Sequence, residues 1–191
     1  MEIKKCLLLL TFSAFVFFAR AQDEEEPKQG FDKSRLFFGG NFGLSFGNYT
    51  LVNISPQVGY RFSQMFAAGA GLNFIYSSYK YNYNDPLYDY KDEYGVAGLN
   101  IFGRIYPIEY ILLQVQPEMN YTWVKRKFYD GTPSLKLDPK FVPSLLLGGG
   151  TAIPLGGRGR AVMTVMLQYD VIQNERSPYG KRPFVNVGFN F

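Results

Sequence analysis

Residues 113–123, LQVQPEMNYTW, decide the fold of this chain, because apolar and polar side chains alternate along them. Successive side chains of a β-strand point to opposite faces, so the stretch predicts a strand with one apolar and one polar face. The apolar set is Leu113, Val115, Met119, Tyr121 and Trp123, and the polar set is Gln114, Gln116, Glu118, Asn120 and Thr122.

Seven other stretches repeat the same alternation. Strands of about 11 residues have the length that crosses a bilayer at a tilt of about 45°. The chain after residue 21 shows no sustained helical spacing and no apolar run long enough for a membrane helix. The predicted strands are 35–46, 50–62, 66–76, 95–105, 113–123, 142–153, 161–171 and 185–191.

The predicted connections alternate between short and long. At one end all turns are short, and at the other end three of four links are long. That asymmetry is typical of outer-membrane barrels, which have brief periplasmic turns and long external loops. The sequence therefore predicts an all-β fold over residues 34–191, an eight-stranded antiparallel up-and-down transmembrane β-barrel. The short turns are 47–48, 63–64, 106–109 and 154–158, and the long links are 77–94, 124–141 and 172–183.

The alternative, a soluble lipocalin-like barrel, is weighed by counting charges. A soluble domain is roughly 25% charged, yet only five charged residues fall within the eight predicted strands, all on the polar face. A charge that faces lipid costs roughly 2–4 kcal/mol at the bilayer midplane. We therefore expect the apolar face to meet hydrocarbon and the polar face to be sealed inside. The five are Arg35, Arg61, Arg104, Glu118 and Asp170.

Residues 1–21 have the pattern of a cleaved secretory signal. Lys4 and Lys5 precede an apolar run, and Ala19-Arg20-Ala21 fits a cleavage site; a retained anchor is the alternative. Residues 22–33 are expected to form a short periplasmic tail. Cleavage would remove three of 20 Lys and Arg and one of 16 Asp and Glu, leaving a net charge of +2. This small net charge gives no indication of nucleic-acid binding.

A polar network is expected in the lumen, since eight strands enclose a space just wide enough for side chains to fill. Glycines on the inner face leave room for larger side chains such as Phe37, Gln116 and Gln168. The network is either a plug of buried charges that pair with each other and with amides, or a polar gate or anion site at the mouth. Counting outward from residues 107 and 108, between the predicted strands 95–105 and 113–123, places Glu118 opposite residue 97. The network comprises Arg35, Arg61, Arg104, Glu118, Gln114, Gln116, Gln168 and Asp170.

The long links carry a surface rich in tyrosine and charge. Its tyrosines are expected to form an interfacial belt with a protruding sheet, or a recognition surface; they are Tyr79, Tyr81, Tyr83, Tyr88 and Tyr90. Basic residues in the later links either meet the phosphates of lipopolysaccharide or are simply solvated. These are Lys125, Arg126, Lys127, Lys136, Lys140, Arg176, Lys181 and Arg182.

The final stretch carries the most specific resemblance. Val185, Val187, Phe189 and Phe191, at steps of two, resemble the signal that the barrel-assembly machinery reads in small outer-membrane barrels of the OmpA/OmpX type. The many Tyr, Asn and Gly residues are similar to the outer-membrane β-barrel domain of Bacteroidota. The resemblance implies export by a cleaved signal to the outer membrane of a Gram-negative bacterium. It also implies contact with outer-membrane lipid and lipopolysaccharide.

The composition narrows the function classes. The chain has no His, which excludes Ser-His-Asp and Cys-His nucleophilic sites. We therefore predict a non-enzymatic barrel without metal or cofactor, with a structural or adhesion role and a possible protein partner at its external loops. The alternatives are a subunit of a larger secretion or uptake assembly, a narrow channel, and a barrel enzyme with an Asp/Glu-only site.

Overall fold

The computed structural model describes residues 32–47, 49–81, 89–156 and 161–191, which form eight consecutive β-strands. Residues 1–21 and 22–31 lie outside the described residues, so the predicted signal and most of the predicted tail go undescribed. Lys33–Arg35 form a single 3-10 turn before the first strand. Within the described part of the chain, no helix is long and apolar enough to cross a membrane.

The strands close into one barrel in chain order, each antiparallel to its neighbours. The predicted eight-stranded antiparallel up-and-down barrel is therefore confirmed. The strands are β1 (Leu36–Ser45), β2 (Tyr49–Arg61), β3 (Phe66–Tyr81), β4 (Tyr90–Ile108), β5 (Ile111–Phe128), β6 (Leu135–Pro154), β7 (Val162–Asp170) and β8 (Phe184–Asn190).

The two ends of the barrel differ in their connections. Residues 62–65 join β2 to β3, and 109–110 join β4 to β5, at the end where the barrel's first and last residues also lie. We call this the turn end. At the opposite end, residues 171–183 form the long connection from β7 to β8. We call this the loop end, and it contains the groups that close the lumen.

Strands β3 to β6 extend several residues further toward the loop end than the alternation predicts. Residues 77–81, 90–94 and 124–128 were expected in links but pair in regular ladders. Opposite charges across the strands support this extension, with Asp92 opposite Arg126 and Glu93 opposite Lys125. The predicted long links 77–94 and 124–141 are therefore wrong in their bounds, because strand continues into both.

The outer face of the barrel is apolar and exposed, as the alternation predicts. On β5, from Leu113 to Trp123, the outward apolar side chains remain 38–50% exposed while the inward polar ones between them are 0–5% exposed. Apolar side chains of other strands also face outward, among them Phe38, Phe42, Leu99 and Ile101. The exposed set in this stretch of β5 is Leu113, Val115, Met119, Tyr121 and Trp123, and the enclosed set is Gln114, Gln116, Glu118, Asn120 and Thr122.

Inner-face glycines make room for large lumen side chains, as expected. A Cβ on Gly59 would collide with the ring of Phe37, and one on Gly148 would lie 2.6 Å from Cγ of Gln168. The lumen is not polar throughout, however. Toward the turn end it holds an apolar cluster that the alternation did not predict, comprising Ala67, Tyr106, Leu112, Ala152 and Met166.

The register between β4 and β5 differs from the predicted one. Glu118 lies opposite Asn100, not opposite residue 97. The prediction centred the hairpin on 107–108, whereas the strands continue to Ile108 and Ile111, with a register shift between Ile105 and Ile108. The turn therefore lies further along the chain than the sequence signals suggested.

Candidate functional site

A ladder of two amide side chains and one carboxylate runs along the inner face of β5. Gln114, Gln116 and Glu118 are two residues apart, so they share one face of the strand. Arg104 of β4 donates from Nε to Oε1 of Gln114 at 2.5 Å, and Gln114 Nε2 donates to Oε1 of Gln116. Gln116 Nε2 then donates to Oε1 of Glu118 at 2.6 Å. All three hydrogen bonds point the same way, from a buried cation to a buried anion.

The guanidinium of Arg104 is 2% exposed and bonds only to neutral groups among the described residues. It donates to Gln57 Oε1 at 3.1 Å and to Asn190 Oδ1 at 3.3 Å. Its charge also lies 4.4 Å from the ring centroid of Phe102. A buried charge is costly unless it is compensated, and here aligned amide dipoles connect it to Glu118. Among the described residues, Arg104 and Glu118 therefore contact amide groups, as one part of the plug prediction states, and do not pair directly with each other.

Glu118 is the acceptor at the other end of the ladder. Besides Gln116, it accepts from Asn120 Nδ2 at 2.9 Å and from the hydroxyl of Tyr179 at 2.7 Å. Asn120 in turn accepts from Asn73, which accepts from Asn100. The carboxylate thus joins strands β3, β4 and β5 to the β7–β8 connection.

The connection between β7 and β8 folds over the lumen at the loop end. Asp170 accepts from the hydroxyl of Ser177 at 2.6 Å and from the backbone N–H groups of Leu145 and Ile172 at 3.1 Å. Tyr94 donates to the carbonyl of Arg176 at 2.9 Å. Together with Tyr179, these contacts hold the connection against the top of the polar network.

Gln168 lies apart from the ladder. Asn186 Nδ2 donates to its Oε1 at 2.6 Å. Within the described chain, two buried polar atoms have no hydrogen-bond partner, Gln168 Nε2 and Asn100 Oδ1. The network is therefore nearly but not completely satisfied, as is usual for native interiors.

Arg35 and Arg61 lie at the turn end, away from the ladder of Gln114, Gln116 and Glu118. Arg35 donates to the carbonyl of Phe62 at 2.8 Å, and Arg61 lies 5.2 Å from the ring centroid of Tyr106. Both line an open cavity of about 870 Å³ at the turn end, which Arg104 also borders. Of the eight predicted network residues, these two thus line the rim at the turn end.

The tyrosines on the extended strands form a row. Tyr79 and Tyr81 have ring centroids 4.4 Å apart, and Tyr81 stacks on Tyr90 at 4.5 Å. The structure therefore brings three of the five predicted tyrosines together. Tyr83 and Tyr88 lie outside the described residues.

Several basic residues of the later links are already paired. Arg126 holds Asp92 with two hydrogen bonds of 2.6 and 2.7 Å, and these raise the pKa of its guanidinium. Burial disfavours the charge on Glu93, but hydrogen bonds from Lys127 and Lys91 outweigh it and lower the pKa of Glu93. Arg126 and Lys127 therefore stabilise the extended β4–β5 hairpin, which weakens their expected role in binding phosphate.

The predicted assembly-signal residues lie on the outer face of the barrel, as the alternation predicts. Val185, Val187 and Phe189 face outward on β8, and Phe191 follows it. In the described residues, no group of three His, Cys, Asp or Glu side chains could hold a metal ion.

Sequence reasoning missed part of the network. Asn73, Asn100 and Asn120 occupy inward positions of the alternation, so the same pattern could have added them. Tyr179 and Ser177 lie in a connection without periodicity, and no pattern in the sequence indicates that they reach the lumen.

Fold and site together define a closed antiparallel β-barrel of eight strands, apolar outside and internally hydrogen-bonded. Comparison with protein-family models and with curated proteins gave no match.

Proposed function

We propose that this chain is a non-enzymatic integral outer-membrane β-barrel with a filled lumen, similar to small barrels of the OmpA/OmpX type. The observation that carries the proposal is the exposed apolar outer face. Phe38, Ile54, Leu99 and Leu113 are each 47–65% exposed and lie on different parts of the barrel wall. Soluble monomers rarely expose a contiguous apolar patch of more than a few hundred Å², so hydrocarbon is the natural environment for this surface.

The charged residues and the length of the connections together give the proposed orientation of the barrel in the membrane. Charged residues of the extended strands, such as Lys91, Asp92 and Arg126, lie toward the loop end. External loops of outer-membrane barrels are the longer ones and periplasmic turns the shorter ones. We therefore orient the loop end outward and the turn end toward the periplasm.

The hydrogen-bonded lumen supports a closed barrel over a channel. Gln116, Glu118, Asn120 and Tyr179 meet across the interior, and 171–183 covers the loop end. We expect purified protein in planar lipid bilayers to give no steady single-channel current, in contrast to an open porin measured in the same bilayers. A steady, reproducible conductance would contradict the filled lumen and favour the narrow channel.

The role that we propose is structural or adhesive, through the sheet that extends at the loop end. The row Tyr79–Tyr81–Tyr90 supports a protein contact, since tyrosine is enriched at interfaces. The same row fits the alternative of a subunit in a larger secretion or uptake assembly. A stoichiometric partner after detergent extraction would favour that alternative over a barrel that acts alone.

A further inference from the structure

The seam that closes the barrel is paired over only part of its length. β1 and β8 pair at residues 39–41 and 188–190, and Phe38 and Phe191 exchange two backbone hydrogen bonds. In the described chain, no β1–β8 pair lies further toward the loop end. Yet β1 stays paired to β2 as far as Ser45, and β8 stays paired to β7 as far as Phe184. Residues 42–45 and 184–187 therefore flank a gap in the wall, which we call the lateral gap.

A cavity of about 420 Å³ lies at this gap and is bordered by residues of both strands, among them Phe42, Gly43 and Val185. Phe42, Val185 and Val187, which border it, point to the outside of the barrel. Asn73 and Gln116, which also border it, are 2% exposed and belong to the lumen. The cavity is therefore bordered by residues of both the outer face and the polar interior.

The lining indicates the kind of molecule that fits. None of the described residues that line the cavity is charged. Phe42, Val185 and Val187 border the cavity from the outer face. Its inner part carries the amide and hydroxyl groups of Asn41, Asn53, Ser55 and Asn73, beside the apolar side chains of Leu51, Ile75 and Leu146. Pockets that bind small molecules are largely apolar, with a few polar groups that fix orientation. The volume falls within the usual range of about 300–1,000 Å³.

Backbone chemistry gives a second argument. Backbone groups that face hydrocarbon without a partner cost several kcal/mol each, so unpaired backbone is tolerated only where it is buried in protein or lines a cavity that supplies hydrogen-bonding groups, such as water. The free edges of β1 and β8 at the lateral gap meet that condition if the cavity holds a molecule with hydrogen-bonding groups. A hydroxyl or amide head group supplies such groups, and an alkyl chain fills the apolar rim.

We propose that the lateral gap is a binding site for an uncharged single-chain amphiphile that enters from the bilayer, polar head first. The head group binds among Asn41, Asn53 and Asn73, and the chain lies between Phe42 and Val187. The proposal rests on the proposed membrane location. It adds a ligand class and an entry route to a barrel whose axial path is closed.

The test uses the protein in phosphatidylcholine vesicles with a dodecanol derivative that carries a photoreactive diazirine. After irradiation, labelled residues are mapped by mass spectrometry. We expect label on the outer face, for example at Leu113 and Met119, and also on the lumen side near Asn41 and Asn53. Excess unlabelled dodecanol should abolish the lumen label, because a site saturates, while the outer-face label persists.

A matched pair of glycine variants tests whether the amphiphile enters the lumen through the lateral gap. A Cβ on Gly43, which borders the cavity, would meet only Asn53 Cβ at 3.6 Å, and one on Gly103 would meet only Val115 Cγ1 at 3.6 Å. Both positions thus accept a larger side chain. We expect Gly43→Leu to lose the lumen label and keep the outer-face label, whereas Gly103→Leu keeps both.

The outcomes separate this inference from the proposed function. Outer-face label without lumen label in the unmodified protein would overturn the inference and leave the membrane barrel intact. Lumen label that Gly43→Leu leaves unchanged, or that excess dodecanol leaves unchanged, would also overturn it. No label on either face would overturn the membrane location and this inference with it.

Discussion

Replacing Met119 with Arg should prevent the barrel from folding into a bilayer. Met119 is 49% exposed on the outer face of β5 and lies near the middle of the predicted membrane stretch 113–123. An arginine at the midplane of a barrel's lipid face costs about 2–4 kcal/mol. That cost is a large fraction of the stability of a small domain. The measurement is the folded fraction after dilution from urea into phospholipid vesicles, read from heat-dependent gel mobility.

Leu137→Arg is the matched control for this variant. Leu137 is 46% exposed on β6 and pairs with Val124, beside the charged extension of the sheet. Near the membrane surface the same substitution costs only about 0–1 kcal/mol, so folding should be retained. If Met119→Arg folds as well as Leu137→Arg, the outer face meets water and the membrane proposal is wrong.

Replacing Glu118 with Leu should give the largest loss of stability in the lumen. Three donors lose their acceptor together: Gln116 Nε2, Asn120 Nδ2 and the hydroxyl of Tyr179. Each buried group left unsatisfied costs about 1–3 kcal/mol. Arg104 also loses the anion at the far end of the ladder. We therefore expect the free energy of unfolding to fall by at least about 3 kcal/mol.

Glu118→Gln is the conservative control. Its amide keeps one oxygen that can accept hydrogen bonds from the surrounding donors, whereas a leucine side chain accepts none. The free energy of unfolding of Glu118→Gln should fall much less than that of Glu118→Leu. Urea titration in vesicles measures both variants, with Trp123, the only tryptophan of the chain, as the fluorescent reporter. Equal stability of Glu118→Leu and the unmodified protein would mean that the ladder contributes nothing to holding the barrel closed.

The alternation predicted the orientation of side chains well, because each face of a strand keeps one environment along its length. It separated Leu113 from Gln114, and Ile101 from Asn100, without any knowledge of pairing. Strand ends were predicted less well. The segment 90–94 contains Lys91, Asp92 and Glu93, whose charges suggest a loop, and only their partners on β5 make a strand favourable there.

The partners within the lumen could not be predicted from alternation. Facing inward is a property of one strand, whereas the bond between Arg104 and Gln114 depends on the register between two strands. Counting residues misplaced that register because the β4–β5 turn is tighter and later than its proline suggests. Tyr179 reaches Glu118 from a connection, and the path of a connection depends on the assembled barrel.

Closure of the barrel was predicted, but the short length of the pairing between β1 and β8 was not. A sheet in hydrocarbon needs to close, which predicted the contact between β1 and β8. How far those two strands pair depends on their stagger, and no local pattern encodes it. The short ladder at 39–41 and the cavity beside it are therefore findings of the structure alone.

The most direct test of the account is a nitroxide scan of residues 113–123 in vesicles, with collision rates for oxygen, which concentrates in lipid, and for a water-soluble nickel chelate. We expect Leu113, Val115, Met119 and Tyr121 to collide mainly with oxygen, most strongly at Met119. Gln114, Gln116 and Asn120 should collide with neither reagent. Outward positions that collide mainly with the nickel chelate would contradict the account, because the apolar face would then lie in water.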